Sequence, residues 1–181
     1  HKALIKKVLE KSKKLNVKSV MMTFDPHPIT FLYPERPFHR VFPMSDLVGN
    51  IEKLGVEVLV VEPFSRELSE LDPEAFIRDY LVKPFCPKAL VIGYDFVFGR
   101  SRQGTADLLK SQGKEFGFEV EVFPAVKVGD VIVSSSEIRK NIQAGEMSKV
   151  AELLGRNFYL EGIVEKGVGR GRTLGIPTAN L

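Results

Sequence analysis

The sequence has few of the residues that most metal and disulfide sites require. It contains one cysteine, Cys86, and three histidines, and no two histidines are spaced four positions apart. A single cysteine cannot form an internal disulfide or a thiolate cluster, so neither a disulfide framework nor a zinc site is expected. Since a chain without disulfides suits a reducing compartment, we predict a cytoplasmic location.

Long hydrophobic runs and a large charge excess are also missing. No apolar run approaches the roughly 18 residues that a membrane helix needs. The 26 basic and 23 acidic side chains leave a net charge of +3, which argues against a dedicated polyanion binder. Hydrophobic residues make up 44% of the chain and charged residues 27%, both typical of a globular protein. We therefore expect a folded chain with neither a membrane nor a nucleic acid as its partner.

Short apolar segments alternate with helical patterns along the first part of the chain. Residues 2–15 predict an amphipathic helix whose lysines form its solvated face. The predicted strands cover residues 19–24, 56–61, 89–93 and 119–123. The predicted helices between them begin at the cap residues Ser45, Asp72 and Thr105 and end near Leu54, Leu81 and Gly117. This alternation predicts a doubly wound parallel α/β sheet.

The pattern changes after residue 125. Residues 126–133 predict a β-hairpin with glycine and aspartate at its turn. Two short helices follow, near residues 136–144 and 147–154, and from residue 158 the sequence becomes β-like and rich in glycine. We place a domain boundary just before this β-like sequence, which gives one domain at 1–155 and the start of a second, truncated domain at 156–181.

The first candidate site follows the strand predicted at 19–24. Ligands of parallel α/β sheets bind beyond the carboxyl ends of the strands. The sequence at 24–28 reads FDPHP, and its two prolines stiffen the chain around His27. The imidazole, together with Phe24 and Phe31, offers a platform for a flat ring. The alternative is a proline turn that ends the strand and leaves the histidine exposed.

The second candidate site follows the strand predicted at 89–93. The sequence at 93–99 reads GYDFVFG, and two arginines that could meet phosphates come soon after it. Gly93 permits close approach of the backbone to a ligand, and Asp95 can accept hydrogen bonds from sugar hydroxyls or amino groups. The aromatic residues, Phe96 among them, fit a binding crevice and a packed core equally well.

The third candidate site lies at the predicted start of a helix. Ser134 and Glu137 have the spacing of a capping box, which by itself explains why a helix begins here. The functional alternative adds Ser135, Ser136 and Arg139, since hydroxyl groups and a guanidinium at a helix N-terminus can bind a triphosphate.

The end of the chain contains two further motifs. The sequence at 167–171 reads GVGRG, but no helix is predicted after it, so it is not a dinucleotide fingerprint. The sequence at 175–180 reads GIPTAN and offers a hydroxyl and an amide beside a proline. These groups could bind magnesium or phosphate oxygens, and a turn without a ligand is the alternative.

In this order and spacing, the motifs resemble the bifunctional prokaryotic riboflavin kinase/FMN adenylyltransferase (FAD synthetase) family over essentially the whole chain. The matching segments are 24–28, 93–99, 134–139 and the run from 162 to 180. The resemblance implies a Rossmann-like, HIGH-type nucleotidyltransferase domain followed by the first strands of a β-barrel flavokinase domain. It also implies phosphorylation of riboflavin to FMN and adenylylation of FMN to FAD, both with ATP and Mg²⁺.

The resemblance further implies a role for each matching residue. Adenosine recognition falls to Gly93 and Asp95. The expected contacts to the ATP phosphates are His1, Ser134, Ser135, Ser136 and Arg139, with His1 and Arg139 as catalytic residues. The expected flavin contacts are Phe24, Pro26, His27, Pro28, Phe31 and Phe96. The expected Mg-ATP contacts of the kinase part are Gly167, Gly171, Arg172, Thr178 and Asn180, with Thr178 and Asn180 as the magnesium ligands.

The chain differs from the family pattern at both ends. It begins at the last histidine of the GxFDGxHxGH motif and stops before the catalytic glutamate, so we expect a piece truncated at both ends and without kinase activity. Two alternatives to the flavin enzyme stay open. One is a related nucleotidyltransferase with a non-flavin substrate, and the other is a non-catalytic nucleotide- or RNA-binding module that uses the lysine-rich first helix.

Overall fold

The computed structural model of the chain describes residues 1–165 together with Gly167, Gly171, Gly175 and Ile176. The chain divides into two compact units, His1–Val133 and Ser134–Leu181. The first unit is a mixed α/β structure with parallel strand pairs, in agreement with the class that the sequence predicts. Every helix in the described ranges is too short or too polar to cross a membrane.

Parallel strands form the sheets of the first unit. Strand β1 (Val20–Asp25) pairs with β2 (Val58–Pro63), and β3 (Ala89–Gly93) pairs with β4 (Glu119–Phe123). The bounds of β3 and β4 agree with the prediction, and β1 and β2 lie one and two residues further along the chain. Among the described residues the four strands form two hydrogen-bonded pairs and not one continuous sheet.

Helices separate these strands along the chain. They are α1 (Lys2–Leu15), α2 (Pro28–Leu32), α3 (Met44–Leu54), α4 (Arg66–Ser69), α5 (Pro73–Phe76), α6 (Lys83–Phe85) and α7 (Ala106–Phe116). A π-helical turn, Ile77–Val82, joins α5 to α6, and a 3₁₀ turn spans Arg100–Arg102. The short helices α2 and α4 have no counterpart in the sequence prediction, because four or five residues are too few to show helical periodicity.

Capping residues explain where two of these helices begin. The Thr105 hydroxyl accepts a hydrogen bond from the Leu108 N–H at 3.3 Å, and Gly117, with φ of 79°, ends α7. The Asp72 carboxylate accepts from the Glu74 N–H at 3.1 Å at the start of α5. Both caps confirm the prediction, since side-chain oxygens satisfy N–H groups that have no partner within the helix.

Two helix predictions differ from the structure. The N-cap of α3 is Pro43 and not Ser45, and Ser45 lies inside the first helical turn. The helix predicted from Asp72 to about Leu81 stays α-helical only to Phe76 and continues as the π-helical turn. A π-helical turn adds a residue to the helical repeat. The apolar pattern of so short a segment does not distinguish a π-helical turn from an α-helical one.

The core of the first unit connects both strand pairs. Its buried residues are Leu68, Phe76, Ile77, Ile92, Phe98, Leu109 and Phe118. Partly buried residues from β1 and from the chain after β2, including Phe24 and Phe64, pack against this cluster. The carboxyl ends of β1, β2 and β3 therefore share one apolar support.

Ion pairs attach α1 to β4. Lys7 lies 3.1 Å from Glu121, and Lys11 lies 3.0 Å from Glu119 and 3.1 Å from Glu121. The hydrogen bond to Glu119, followed by that to Glu121, raises the pKa of Lys11. The expectation that the lysines only form a solvated face is therefore wrong for these two. The sequence pattern of α1 alone carries no information about the acids of β4.

A buried serine connects the starts of β1 and β2. Ser19, with 1% of its surface exposed, precedes β1. The Glu57 carboxylate accepts from the Ser19 N–H at 2.8 Å and from its hydroxyl at 3.3 Å, while the Glu57 N–H donates to the Ser19 hydroxyl at 3.0 Å. This reciprocal set fixes the register at which β2 joins β1.

The predicted hairpin and the last two helices are present. Strands β5 (Lys127–Val128) and β6 (Val131–Ile132) pair antiparallel across a turn at Gly129, which has φ of 57°. In the second unit, α8 (Ser135–Gln143) and α9 (Met147–Leu154) pack against each other, and Gly155 ends α9 with φ of 64°. Residues 158–164 lie outside any strand, so the predicted start of a β-barrel is not observed in the described part of the chain.

Candidate functional site

Three aromatic rings meet at the carboxyl ends of β1 and β2. The Phe24 ring contacts the Phe64 ring edge-on, with centroids 5.7 Å apart and an interplanar angle of 74°. The Phe31 ring contacts Phe64 in the same way, at 5.6 Å and 77°. Phe64, which follows directly after β2, therefore joins the two predicted flavin residues. Because 38% of Phe31 is exposed, this aromatic group offers apolar surface to a ligand.

His27 is fixed by two contacts. Its Nδ1 accepts a hydrogen bond from the Ile29 N–H at 3.2 Å, which makes His27 the N-cap of α2, with Pro28 as the first helical residue. Its ring stacks on Phe38, with centroids 4.3 Å apart and an interplanar angle of 28°. Since Nδ1 accepts, the proton of the neutral imidazole lies on Nε2. His27 is therefore a half-buried, oriented residue, whereas Pro26 is exposed.

Arg40 contacts the end of β1. Its Nη2 donates to the Asp25 carboxylate at 2.7 Å and to the Phe24 carbonyl at 3.1 Å. Sequence reasoning missed Arg40, Phe38 and Phe64. The signal that was available is the segment 33–43, where aromatic and basic side chains alternate with three prolines in a stretch without periodicity.

A tight turn follows β3. The Phe96 N–H donates to the Gly93 carbonyl at 3.1 Å, which places Tyr94 and Asp95 at the corner of the turn, where both are exposed. A Cβ atom added to Gly93 would lie 3.2 Å from Asp95 Oδ1. The aspartate carboxylate thus lies directly against the glycine, and the two predicted adenosine residues occupy one small surface.

The two phenylalanines after this turn have different environments. Phe98 is buried and contacts Phe76 at 5.5 Å, whereas Phe96 is 37% exposed and stacks on Phe98 at 5.5 Å. Phe98 and Gly104 form a backbone bridge, with Phe98 N–H to Gly104 oxygen at 3.2 Å and Gly104 N–H to Phe98 oxygen at 2.8 Å. The ambiguity in the sequence is thereby answered: Phe98 is core, and Phe96 combines packing with an exposed face.

The third candidate site begins α8 in the second unit. The Ser134 hydroxyl accepts from the Glu137 N–H at 3.1 Å, which confirms the cap, and the Glu137 carboxylate accepts from the side chain of buried Asn141 at 2.9 Å. Ser135 is half-buried and Ser136 exposed in the first turn. Arg139 is half-buried, and this burial lowers the pKa of its guanidinium. The cap alone accounts for Ser134, while the phosphate roles of Ser135, Ser136 and Arg139 stay a prediction.

The remaining predicted residues lie at the ends of the chain. His1 is the N-cap of α1 without a side-chain cap bond, and its carbonyl accepts from the Ile5 N–H at 2.9 Å. Gly167 and Gly171 are described positions, whereas Arg172, Thr178 and Asn180 lie outside the described residues. Among the residues that the structure does describe, no group of three or more His, Cys, Asp or Glu side chains could hold a metal ion.

Comparison with known families accounts for these segments together. The family model for FAD synthetase matches residues 1–137, and the model for riboflavin kinase matches residues 154–181. This chain belongs to the FAD synthetase family. All of the candidate residues around Phe64 and Gly93, and those from Ser134 to Ser136, lie within the matched FAD synthetase region.

Curated relatives in the FAD synthetase family are named bifunctional riboflavin kinase/FMN adenylyltransferase. That of Listeria monocytogenes is 34% identical over 184 residues, covering all of this chain and 57% of the relative. That of Escherichia coli (strain K12) is 32% identical over 181 residues, covering all of this chain and 58% of the relative. That of Bacillus subtilis is 37% identical over 164 residues, covering 89% of this chain and 51% of the relative. The chain therefore spans a little more than half the length of these relatives.

A solved structure has the same fold. The crystal structure described as a macrolide-efflux protein from Streptococcus pneumoniae superimposes with a TM-score of 0.84 and 31% sequence identity. The match covers 99% of this chain and 58% of that one. The efflux role in that description refers to the pneumococcal protein.

Proposed function

We propose that this chain carries the FMN adenylyltransferase part of an enzyme that makes FAD from FMN and ATP, and that the whole enzyme also phosphorylates riboflavin to FMN. One observation carries the proposal: the exposed rings of Phe31 and Phe96 pack, through Phe64 and Phe98, on the apolar core that both strand pairs share. Partly exposed rings with fixed positions suit a flat aromatic substrate such as the isoalloxazine of FMN.

The proposal extends to the finer fold. We assign the two parallel strand pairs to a Rossmann-like, HIGH-type nucleotidyltransferase domain at residues 1–155. Their shared apolar cluster and the parallel pairing within each of them support this assignment. Residues 156–181 then begin a β-barrel flavokinase domain, an assignment supported by the riboflavin kinase match at 154–181.

The proposed reaction is a nucleotidyl transfer. An oxygen of the FMN phosphate attacks the α-phosphorus of ATP, a new P–O bond forms, and the bond from the α-phosphorus to the bridging oxygen breaks. The electron pair leaves with pyrophosphate. Such a reaction needs positioning and neutralisation of charge more than an activated nucleophile, which agrees with a sequence that contains no visible catalytic triad.

Each group of residues has one task in this reaction. Gly93 and Asp95 bind adenosine, for which the exposed carboxylate beside the glycine offers hydrogen-bond acceptors. The phosphates of ATP are bound by His1, Ser134, Ser135, Ser136 and Arg139, with His1 and Arg139 as the catalytic residues. The flavin is bound by Phe24, Pro26, His27, Pro28, Phe31 and Phe96.

Magnesium binds in this scheme together with ATP, as the Mg-ATP substrate. The described part of the chain contains no cluster of metal-binding side chains, and the proposed kinase ligands Thr178 and Asn180 lie outside it. Mg²⁺ bound to nucleotides keeps several waters and phosphate oxygens and needs only one or two protein oxygens. No step of the transfer is therefore assigned to a metal held by the described residues alone.

Flavin titration tests the proposal. We expect the chain to bind FMN and ATP saturably, measured by flavin fluorescence and by calorimetry, and the full-length protein to convert FMN and Mg-ATP to FAD, measured by chromatography. ATP binding without flavin binding would instead support a nucleotidyltransferase with another substrate. Oligonucleotide binding that falls steeply with salt, in the absence of flavin binding, would support a nucleic-acid module.

A further inference from the structure

Two contacts hold Asp25 in place at the end of β1. Its carbonyl accepts a hydrogen bond from the Phe64 N–H at 3.3 Å, and its carboxylate accepts from Arg40 Nη2 at 2.7 Å. The same nitrogen of Arg40 also donates to the carbonyl of Phe24 at 3.1 Å. One guanidinium therefore binds the backbone of a flavin-platform residue and the side chain of its neighbour.

The segment that carries Arg40 contacts the platform at a second point. Phe38, two residues before Arg40, stacks on His27. Arg40 Nη1 also lies 3.9 Å from Met44 Sδ, in the first turn of α3. The segment between α2 and α3 is thus attached to both the aspartate and the histidine of the FDPHP motif.

A second arginine–aspartate pair in the described residues, Arg78 with Asp79 at 2.8 Å, differs from this one in what it connects. The side chains of Arg40 and Asp25 are 25% and 53% exposed and those of Arg78 and Asp79 are 50% and 31% exposed, so the two pairs are similarly open to water. A guanidinium that donates to two acceptors has a defined orientation. Arg78 binds its neighbour in sequence, Asp79, whereas Arg40 binds residues that lie 15 and 16 positions earlier in the chain.

We infer that Arg40 is a positioning residue for flavin binding: by holding the Phe24 carbonyl and the Asp25 carboxylate, it fixes the rings of Phe24 and His27 where the flavin is to bind. The inference rests on the proposed function and deepens it. Arg40 acts through Phe24 and Asp25 and has no assigned contact with the substrate.

Binding measurements on variants of the chain test the inference. We expect Arg40→Met to raise the Kd for FMN about tenfold, the size of effect that loss of a charge-assisted hydrogen bond produces, and to leave the Kd for ATP unchanged. Arg40→Lys keeps the charge and can donate from one nitrogen but loses the planar, fixed geometry of the guanidinium, so its Kd should be intermediate. Asp25→Asn, which leaves the Phe24 contact intact, should raise the Kd less than Arg40→Met. Arg78→Met is the matched control and should bind FMN as the wild type does.

A second measurement needs no flavin. Nuclear magnetic resonance of the histidine side chains should show a shift of the His27 resonances in Arg40→Met and none in Arg78→Met. Unchanged FMN binding in Arg40→Met, beside a wild type that binds FMN, would overturn the inference alone. An equal loss of FMN and ATP binding would show a merely structural role and would also overturn it. If the wild type does not bind FMN, the proposed function fails, and unmoved His27 resonances would then refute the positioning by Arg40 as well.

Discussion

The ring of Phe31 lies edge-on against the ring of Phe64, with centroids 5.6 Å apart, although α3 and β2 separate them in sequence. Phe64 contacts Phe24 in the same manner. A residue that no motif contains is therefore the common neighbour of two rings that the family pattern assigns to the flavin. The first prediction concerns this residue.

Replacement of Phe64 by leucine should weaken FMN binding. Leucine keeps the apolar contact with the core but loses two edge-to-face ring contacts, each of which contributes about 0.5–1.5 kcal/mol. We expect a higher Kd for FMN and a fall of about 1–3 kcal/mol in the free energy of unfolding in urea. Phe116→Leu, at the exposed end of α7, is the control and should change neither. An unchanged Kd in Phe64→Leu would mean that the flavin does not use these rings.

Replacement of Gly93 by alanine should weaken ATP binding. The added Cβ would lie 3.2 Å from Asp95 Oδ1, so the carboxylate must move. We expect the Kd for ATP to rise while the melting temperature changes little, because only an exposed side chain is displaced. Gly49→Ala, where a Cβ atom meets nothing within 4 Å, is the control and should leave ATP binding unchanged. Equal ATP binding in both variants would remove Gly93 and Asp95 from the proposed site.

The ion pairs between α1 and β4 should make stability depend on pH. The hydrogen bond from Lys7, and then that from Lys11, lowers the pKa of Glu121 below its usual value of 4.5. Because the folded-state pKa is the lower one, this contribution is fully present above pH 4.5 and is lost as the pH falls through the lowered pKa.

The measurement for this pair is urea unfolding of Glu121→Gln at several pH values. The variant should be less stable than the wild type by about 0.2–1 kcal/mol at pH 7, as for other partly exposed pairs, and the difference should shrink in acid and at high salt. Asp107→Asn, which removes the highly exposed partner of Lys110, should have no measurable effect. A difference for Glu121→Gln that persists in strong acid would assign its effect to packing.

Removal of the Ser19 hydroxyl should destabilise the first unit. Ser19→Ala leaves the Glu57 N–H without its partner and weakens the reciprocal set that joins β1 to β2. We expect a loss of about 1–3 kcal/mol in urea unfolding. Ser45→Ala serves as the control, since Ser45 is not the cap of α3, and should stay within about 0.5 kcal/mol of the wild type. A larger effect at Ser45 than at Ser19 would contradict both statements.

The sequence was sufficient for features that depend on neighbours along the chain. The strands near Ala89 and Glu119, the cap at Thr105 and the stop at Gly117 were predictable because alternation, a hydroxyl and a glycine act within a few residues. The same holds for the cap at Ser134. The FDPHP and GYDFVFG motifs likewise identify the ends of β1 and β3 as candidate sites.

Contacts between distant segments were not predictable in this way. Nothing near Arg40 indicates that its partner is 15 residues earlier, and nothing near Lys11 indicates Glu119. Phe64 follows a strand and belongs to no recognisable motif. Its contacts with Phe24 and Phe31 follow only from the pairing of β2 with β1. The ends of the strands can be located from the sequence, whereas the side chains that support them depend on which strands become neighbours.

The bridge between Phe98 and Gly104 closes the chain on itself, so residues 99–103 form a small loop with a fixed base. Substitutions at the tip of that loop should therefore have little effect on the position of the Phe96 ring. A reporter dye attached through Ser101→Cys at the exposed tip, in a chain whose exposed Cys86 is first replaced by serine, would thus lie beside the proposed binding surface without disturbing its geometry, and would give a direct optical signal for ligand titration.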